Sequence, residues 1–445
     1  MNERDSEIMA QLLVEHGYDE SVGPDTADLV IVNTCSIRAK AEQKAMSLLG
    51  SLRKVKKRRP GMKICVAGCV AQKEGQAICE RMPFVDLVIG TQNIYNLITL
   101  LNNLDETGKV AVEMSQSYEI PQFIPSLKHP VSAKFDTFVL PSPALPFKKF
   151  LTIMQGCNNY CTYCVVPYTR GREISRKVRD ILDEAQALVD AGIREITLLG
   201  QNVNSYGCTN SVTTDNRHYS FSNLLHDVAA IKGLKRLRFT TSNPKDLSPE
   251  LMRCFSEIEK LCPQFHLPVQ SGSNTILSAM NRKYTRELYL KKVAELRSFR
   301  PDIALSTDVI VGFPGESEAD FRETMLLLEE VRFHSSFSFK YSDRPGTSSA
   351  GFENKVNEQV KSERLSRFQK RQDEICLEQN SLFVGKKLPV MIEKMSESGC
   401  VGRSESNHIV HFANTTGDIS CSPGTIVCVA INHAGQHSLG GDLIP

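Results

Sequence analysis

The sequence predicts an α/β protein in three parts: an N-terminal doubly wound parallel sheet, a central partial barrel of six strand–helix units, and a small C-terminal β-barrel. Three observations carry this. Apolar strand-like runs alternate with helical patterns twice along the chain, the signature of parallel sheets. A stretch holding Pro121, Pro125, Pro130, Pro141, Pro143 and Pro146 separates the two patterns, and such proline density marks an extended connector. The last segment changes to short strands punctuated by Gly, Ser, Asn and Pro, as in small all-β modules. The boundaries fall at 1–113, a linker at 114–149, the central barrel at 150–380 and the β module at 381–445.

Composition agrees. A chain of 445 residues has room for about three domains. Its 41% apolar and 23% charged residues are those of an ordinary soluble protein. No apolar run reaches the length of a membrane span, so no membrane partner is expected. Met1-Asn2-Glu3-Arg4-Asp5 is charged in both senses and is no signal peptide. Fourteen cysteines without an export signal imply a reducing, cytoplasmic setting. There, clustered cysteines act as metal or redox ligands rather than as disulfides. The formal net charge of +2 assigns no partner.

Taken in order, residues 3–16 carry Ile8, Leu12 and Leu13 at helical spacing. Strands are expected at 28–33, 62–67 and 85–89, with helices at 38–59 and 93–101. Ligands of such sheets sit beyond the carboxyl ends of the strands. Cys35 follows the first of these strands and Cys69 the second, which makes them candidate co-ligands on one edge. Two ordinary buried thiols are an equal alternative. Cys65 and Cys79 read as core residues. The run Arg53, Lys54, Lys56, Lys57, Arg58, Arg59 reads first as a solvated helix end and second as a phosphate-contacting patch. The chain opens on a helix with no strand before it, although a parallel crossover wants one.

The second pattern places strands at 150–154, 195–199, 236–240, 264–269, 303–311 and 336–341. Each ends in a polar or glycine-rich loop. Six such loops on one rim predict a large polar ligand site, since barrel chemistry sits at the carboxyl ends of the strands. Gln201, Asn202, Ser242 and Gln270 are the rim positions expected to meet cofactor or substrate.

The loop after the first of these strands is Gly156-Cys157-Asn158-Asn159-Tyr160-Cys161-Thr162-Tyr163-Cys164. Thiolates favour iron–sulfur clusters and zinc. Zinc wants a fourth Cys or His close by, yet the next cysteine is Cys208. Three thiolates on a four-iron cube leave one iron open to a substrate, so the spacing favours a cluster over zinc. A polar helix at 357–381 leads to the last module, with strands expected at 390–392, 399–402, 409–412 and 425–431. Its charge balance does not by itself make an RNA-binding surface.

Cys157-x3-Cys161-x2-Cys164, with an aromatic before the last cysteine, resembles the radical S-adenosylmethionine enzymes. Three stretches resemble the methylthiotransferase branch of that superfamily: Gln155 through Glu173, Asn33-Thr34-Cys35-Ser36-Ile37-Arg38, and Ala67-Gly68-Cys69-Val70-Ala71-Gln72. The C-terminal module is similar to the TRAM domain, an RNA-binding barrel. The resemblance covers nearly the whole chain.

It implies two 4Fe-4S clusters and S-adenosylmethionine as cofactors. Cys157, Cys161 and Cys164 would hold the first cluster, and Cys35 and Cys69 would contribute to the second. Tyr163 would lie near the adenine of the cofactor. It also implies methylthiolation of carbon 2 of N6-isopentenyladenosine in the tRNA anticodon stem-loop. A flavodoxin or ferredoxin would donate electrons, and the enzyme would be a monomer. The alternatives are a sister enzyme acting on threonylcarbamoyl-adenosine or a ribosomal protein, and a nonenzymatic RNA-binding protein with a structural metal. In the family a third cysteine of the second cluster precedes the helix on which this chain opens. That cluster is therefore expected to be impaired here, with the natural start upstream. Cys65 is a poorer substitute, because a strand interior aims it away from the rim. The common strand order puts the missing strand inside the sheet.

Overall fold

The computed structural model describes the chain apart from residues 37–38, 109, 117–118, 123–146, 210–212, 215–216, 397–398, 414–421 and 445. Most of the expected linker, with Pro125, Pro130, Pro141, Pro143 and Pro146, lies outside the described residues, as do Ile37 and Arg38. The chain forms two compact units, one of residues 1–145, 150–158 and 165–191, the other of residues 146–149, 159–164 and 192–445.

In the first unit, α1 (Asn2–Glu15) precedes a parallel sheet. Its elements are β1 (Leu29–Thr34), α2 (Ala39–Arg58), β2 (Lys63–Gly68), α3 (Cys69–Glu74), α4 (Gln76–Arg81), β3 (Leu87–Ile89), α5 (Leu97–Thr107) and β4 (Ala111–Glu113). The strands lie in sequence order. Alternation along each strand splits the core into two layers. Cys65, Ala67, Leu87 and Ile89 pack under α1 and α5 through Ile8, Met9, Leu97 and Leu101. Ile64, Val66 and Val88 pack under α2, α3 and α4 through Leu49, Leu52, Val55, Ala71 and Ile78.

The sheet is doubly wound as expected, with two differences. β1 pairs directly with β2, in parallel register from Leu29↔Lys63 to Thr34↔Gly68. The edge strand β4, three residues long, is too short to show a period. The basic run follows the bland reading in part. Lys56 pairs with Asp86, Arg58 with Asp25 and Arg59 with Asp28.

The second pattern begins at β5 (Lys148–Thr152) and α6 (Val178–Asp190). It continues through β6 (Glu195–Leu199), α7 (Phe221–Ala230), β7 (Arg236–Thr240), α8 (Pro249–Glu257), β8 (Gln264–His266), α9 (Asn274–Ala279), α10 (Arg286–Phe299), β9 (Ala304–Val311), α11 (Glu318–Val331) and β10 (Ser335–Lys340). β6 pairs with β7, and β8, β9 and β10 pair in that order, all parallel. β8 stops earlier than expected because Pro268 has no N–H to donate; pairing resumes only as an isolated bridge between Gln270 and Val309. Phe239 anchors the helix side, 5.1, 5.8 and 5.4 Å from the rings of Phe221, Phe255 and Phe265.

α12 (Glu358–Ser381) packs along β10 and leads to a closed barrel. The barrel is built of β11 (Lys387–Ser396), β12 (Gly399–Ser404), β13 (Ile409–Ala413), β14 (Ile426–Ala434) and β15 (Ser438–Ile444), in the cyclic order β11-β12-β13-β15-β14. β15 was not expected, because Gly440-Gly441 reads as a turn. Val390, Ile392, Val410, Phe412, Val429, Leu439 and other buried side chains fill the interior. Two arginines of β7 join this barrel to the central strands. Arg236 donates to the carbonyls of Arg403 (2.7 Å) and Pro389 (2.9 Å), and Arg238 to those of Glu405 (2.7 Å) and Ser404 (2.9 Å).

Candidate metal and cofactor sites

In the first unit, the in-register pair Thr34↔Gly68 places Cys35 and Cys69 one residue beyond the ends of adjacent strands. Thr34 locks this edge. Its hydroxyl donates to the Ala67 carbonyl (2.7 Å) and accepts from the amides of Val70 (3.1 Å) and Ala71 (3.3 Å). Gly68 has φ +94°, and a Cβ there would stand 2.4 Å from both Asn33 Oδ1 and the Thr34 carbonyl. No larger residue fits at the turn into α3. Cys69 is buried and Cys35 partly so, and both are free thiols. Cys65 and Cys79 are core residues, and burial pushes both thiols up.

Sequence reasoning missed the charges around Cys69. The guanidinium of Arg170 lies beside it and donates to Asp5 at 2.6 Å, with both side chains buried. Burial opposes the charge on Arg170, but Asp5 and Cys69 together raise its pKa. Gln92 Nε2 holds the Arg170 carbonyl (2.9 Å), and Thr91 Oγ1 holds that of Thr169 (2.6 Å). Behind this pair, Glu184 of α6 accepts from Arg4 (2.6 Å) and Arg176 (2.7 Å), all three buried. Among the described residues, Asn33 Oδ1, Ser36 Oγ and Arg170 Nη1 here are buried without a hydrogen-bond partner. A group that both donates and accepts hydrogen bonds would satisfy them. Nothing in a period or a spacing marks Asp5 or Arg170.

The cysteine loop begins in this unit. Gly156 has φ +77°, and a Cβ there would lie 2.0 Å from the Arg172 carbonyl. The Cys157 amide donates to Gly171 O (3.3 Å), and the Glu173 amide to Asn158 Oδ1 (3.1 Å). Cys157 is partly exposed.

Residues 159–164 belong to the second unit, where the region after α9 shapes them. Thr162 donates through its amide to Met280 O (3.1 Å) and through its hydroxyl to Ala279 O (2.9 Å). Asn281 Nδ2 donates to the carbonyls of Tyr160 (3.0 Å) and Asn159 (3.4 Å). Tyr160 itself sits in the left-handed region at φ +46°. Arg282 Nη1 lies 3.4 Å from Cys161 Sγ, while the same guanidinium holds Tyr284 OH (2.8 Å) and Pro268 O (2.9 Å). Burial opposes its charge, and Tyr284, Tyr163 and Cys161 more than offset that. Tyr163 packs against Ile276, Met280, Phe313 and Tyr341, and burial raises its phenol.

The rim positions lie beyond the ends of their strands. Asn202 follows β6 and donates to Asp246 Oδ2 (2.7 Å). Among the described residues, its buried Oδ1 and the buried hydroxyl of Ser242, after β7, have no hydrogen-bond partner. Gln270, buried, adopts φ +72°, a strain that tends to persist at functional sites. Gln201 is half-buried beside them. The loop at Gly312–Glu316 is locked from α12, where Arg364 donates to Glu316 Oε1 (2.8 Å) and Gly312 N to the same oxygen (2.8 Å).

Thiolates suit an iron–sulfur cluster as well as zinc, and among the described residues no three His, Cys, Asp or Glu side chains gather as a site for a metal ion. The orphaned oxygens of Asn202 and Ser242 can accept or share hydrogen bonds with an amino acid or ribose. Among the described residues, no helix is long and apolar enough to cross a membrane.

Residues 151–328 match the model of the radical SAM superfamily, and residues 1–90 that of an uncharacterized protein family, UPF0004. A tRNA-2-methylthio-N(6)-dimethylallyladenosine synthase of Desulfotalea psychrophila is 56% identical, over 100% of this chain and 96% of that protein. The synthase of the same name from Geobacter metallireducens is 46% identical over the same shares. Among solved structures, the radical S-adenosylmethionine methyltransferase TsrM of Kitasatospora setae aligns with a TM-score of 0.54 at 14% identity, covering 78% of this chain and 74% of that one. That likeness is one of fold. The sequence identity reaches further: the chain belongs to the tRNA-2-methylthio-N(6)-dimethylallyladenosine synthase family of radical SAM enzymes.

Proposed function

We propose that this chain places a methylthio group on carbon 2 of N6-isopentenyladenosine next to the anticodon of tRNA. One observation carries the reading. A chain that matches the named synthases over its whole length combines the Cys157/Cys161/Cys164 loop with Cys35 and Cys69 at the paired ends of β1 and β2. Cys157, Cys161 and Cys164 would hold a 4Fe-4S cluster that binds S-adenosylmethionine. When bound, these groups supply the one-electron cleavage chemistry that an inert C–H bond requires.

The residues of the chain bind and orient. Asn202, Ser242 and Gln270 offer polar atoms to the cofactor, with Gln201 beside them, and Tyr163 flanks its adenine. Arg282 sets a positive charge against the Cys161 sulfur. Cys35 and Cys69 contribute to a second cluster that carries the sulfur, and Arg170 keeps a cation beside Cys69. The C-terminal barrel grips the anticodon stem-loop. The enzyme works as a cytoplasmic monomer fed by a flavodoxin- or ferredoxin-type donor.

The test is mass spectrometry of tRNA nucleosides from cells with and without the gene. Loss of 2-methylthio-isopentenyladenosine, with isopentenyladenosine left in its place, is the expected result. An unchanged nucleoside overturns the reading, and loss of the methylthio-threonylcarbamoyl nucleoside points to the sister reaction.

A further inference from the structure

Arg282 does more at the cysteine loop than the shape of the loop requires. Thr162 already ties the turn to Met280 and Ala279, and Asn281 holds the carbonyls of Asn159 and Tyr160. The guanidinium of the next residue goes to the sulfur instead. Each of its three nitrogens has an acceptor. Nε donates to Tyr284 OH (2.8 Å), Nη2 donates to Pro268 O (2.9 Å), and Nη1 reaches Cys161 Sγ (3.4 Å). Tyr284 in turn donates to Val269 O (2.9 Å), and its ring centre lies 5.1 Å from the guanidinium carbon. Two contacts thus fix the rigid fork, and the third aims it.

The counter-charge of this cation is not a carboxylate. Arg364 and Arg238, buried in the same unit, pair with Glu316 (2.8 Å) and Glu195 (3.3 Å). The groups that act most on the Arg282 charge are Tyr284, Tyr163 and Cys161. Phenols stay protonated near neutral pH, whereas a cysteine that ligates a metal does so as thiolate. The positive charge is therefore matched at the Cys161 sulfur. Cys161 is also the one buried cysteine of the three in the loop, and a charge acts most strongly where water is scarce.

We infer that Arg282 is a positioning residue that sets the reduction potential of the cluster held by Cys157, Cys161 and Cys164. Its charge and its N–H on the Cys161 sulfur stabilise the reduced form, which carries one more negative charge than the oxidised form. The potential is raised, so a weaker reductant suffices to fill the cluster. Pro268 and Val269 lead directly into Gln270, the rim position at φ +72°. The same guanidinium therefore holds the charge in register with the strand end proposed to meet the cofactor. This rests on the proposal above that the three cysteines hold a 4Fe-4S cluster.

The test is a redox titration of the reconstituted full chain, followed by electron paramagnetic resonance. Cys35→Ala and Cys69→Ala are built in, so that only this cluster reports. Arg282→Gln, Arg282→Met and Arg282→Lys are compared with arginine at that position, each on the fraction that retains iron. Arg282→Gln removes the charge. It is expected to shift the reduction equilibrium about tenfold toward the oxidised form, which is about 59 mV downward for one electron. Arg282→Met also removes the hydrogen bond and should shift it further. Arg282→Lys keeps the charge and should recover most of the loss. A residue that only shaped the loop would change how much iron is held and leave the potential of the loaded fraction alone. An unchanged potential in the Gln and Met variants, or a Lys variant displaced as far as Gln, overturns the inference. Should the Met variant hold no iron, the Gln and Lys pair decides. If the chain with arginine in place gives no signal of a reduced 4Fe-4S cluster, the cluster reading fails and takes the inference with it. A normal signal with an unmoved potential sinks the inference alone.

Discussion

Arg282 is the residue where charge, loop shape and ligand meet. It reaches the Cys161 sulfur, a backbone carbonyl and a tyrosine hydroxyl at once. Arg282→Met should therefore lower the iron retained by the protein severalfold, read by iron assay after desalting, because a buried cation beside the ligand is lost. Cys161→Ala should abolish reductive cleavage of S-adenosylmethionine, and 5′-deoxyadenosine at the unaltered rate would refute its role. The cysteines were legible in sequence because a thiol spacing is local. Arg282 was not, since it meets Cys161 from 121 positions away. Asp5 and Arg170, 165 apart, were hidden for the same reason.

Elements were legible where they carry a period. β6 and β7 fall at the expected residues, and α2 and α12 lie within one or two. The misses are β4, which is too short, and β15, whose glycines imitate a turn. The clamp from β7 onto the C-terminal barrel was also invisible, since Arg236 and Arg238 read as surface charge on an alternating strand. Arg238→Met leaves two carbonyls and Glu195 without their cation. It should cost roughly 3 kcal/mol in denaturant unfolding.

The same junction predicts a pH dependence. Burial, with Arg403 beside it, lowers His408 to about 4, and burial with His408 nearby lowers His334 to about 3. The unfolded chain protonates both below their ordinary value of 6.5, while the fold keeps them neutral. Stability contributed by these two groups therefore falls as pH drops from about 6.5 toward 4. Glu316 has the opposite sign: burial lifts it to about 7, so its contribution is present below 4.5 and lost as pH rises through 7. Melting curves of a Glu316→Gln variant at pH 7 and pH 5 should isolate the histidines and show a drop of a few degrees.

At the scale of the molecule, the chain is a substrate-reading machine with little net charge, +2 over 445 residues. Phosphate contacts must then come from local cations, and Arg53, Lys54 and Lys57 are exposed on α2. Binding of the stem-loop should weaken linearly with salt on a log–log plot, with a shallow slope of about one per phosphate contacted. A slope unchanged in Arg53→Ala/Lys54→Ala/Lys57→Ala would assign this run to solvent alone. The three-part architecture was readable because each part has its own rhythm of apolar residues.

The bonds that shape residues 159–162 run through Thr162, Asn281 and the backbone. Backbone and amide groups carry this turn, and the Cys161 thiol adds the contact from Arg282. Zinc fingers are the opposite case, collapsing when their ion leaves. If the proposed cluster is lost to oxygen, the turn set by Thr162 and Asn281 should stay in place. The protein should be refillable in place, with no cycle of unfolding and rescue between one working life and the next.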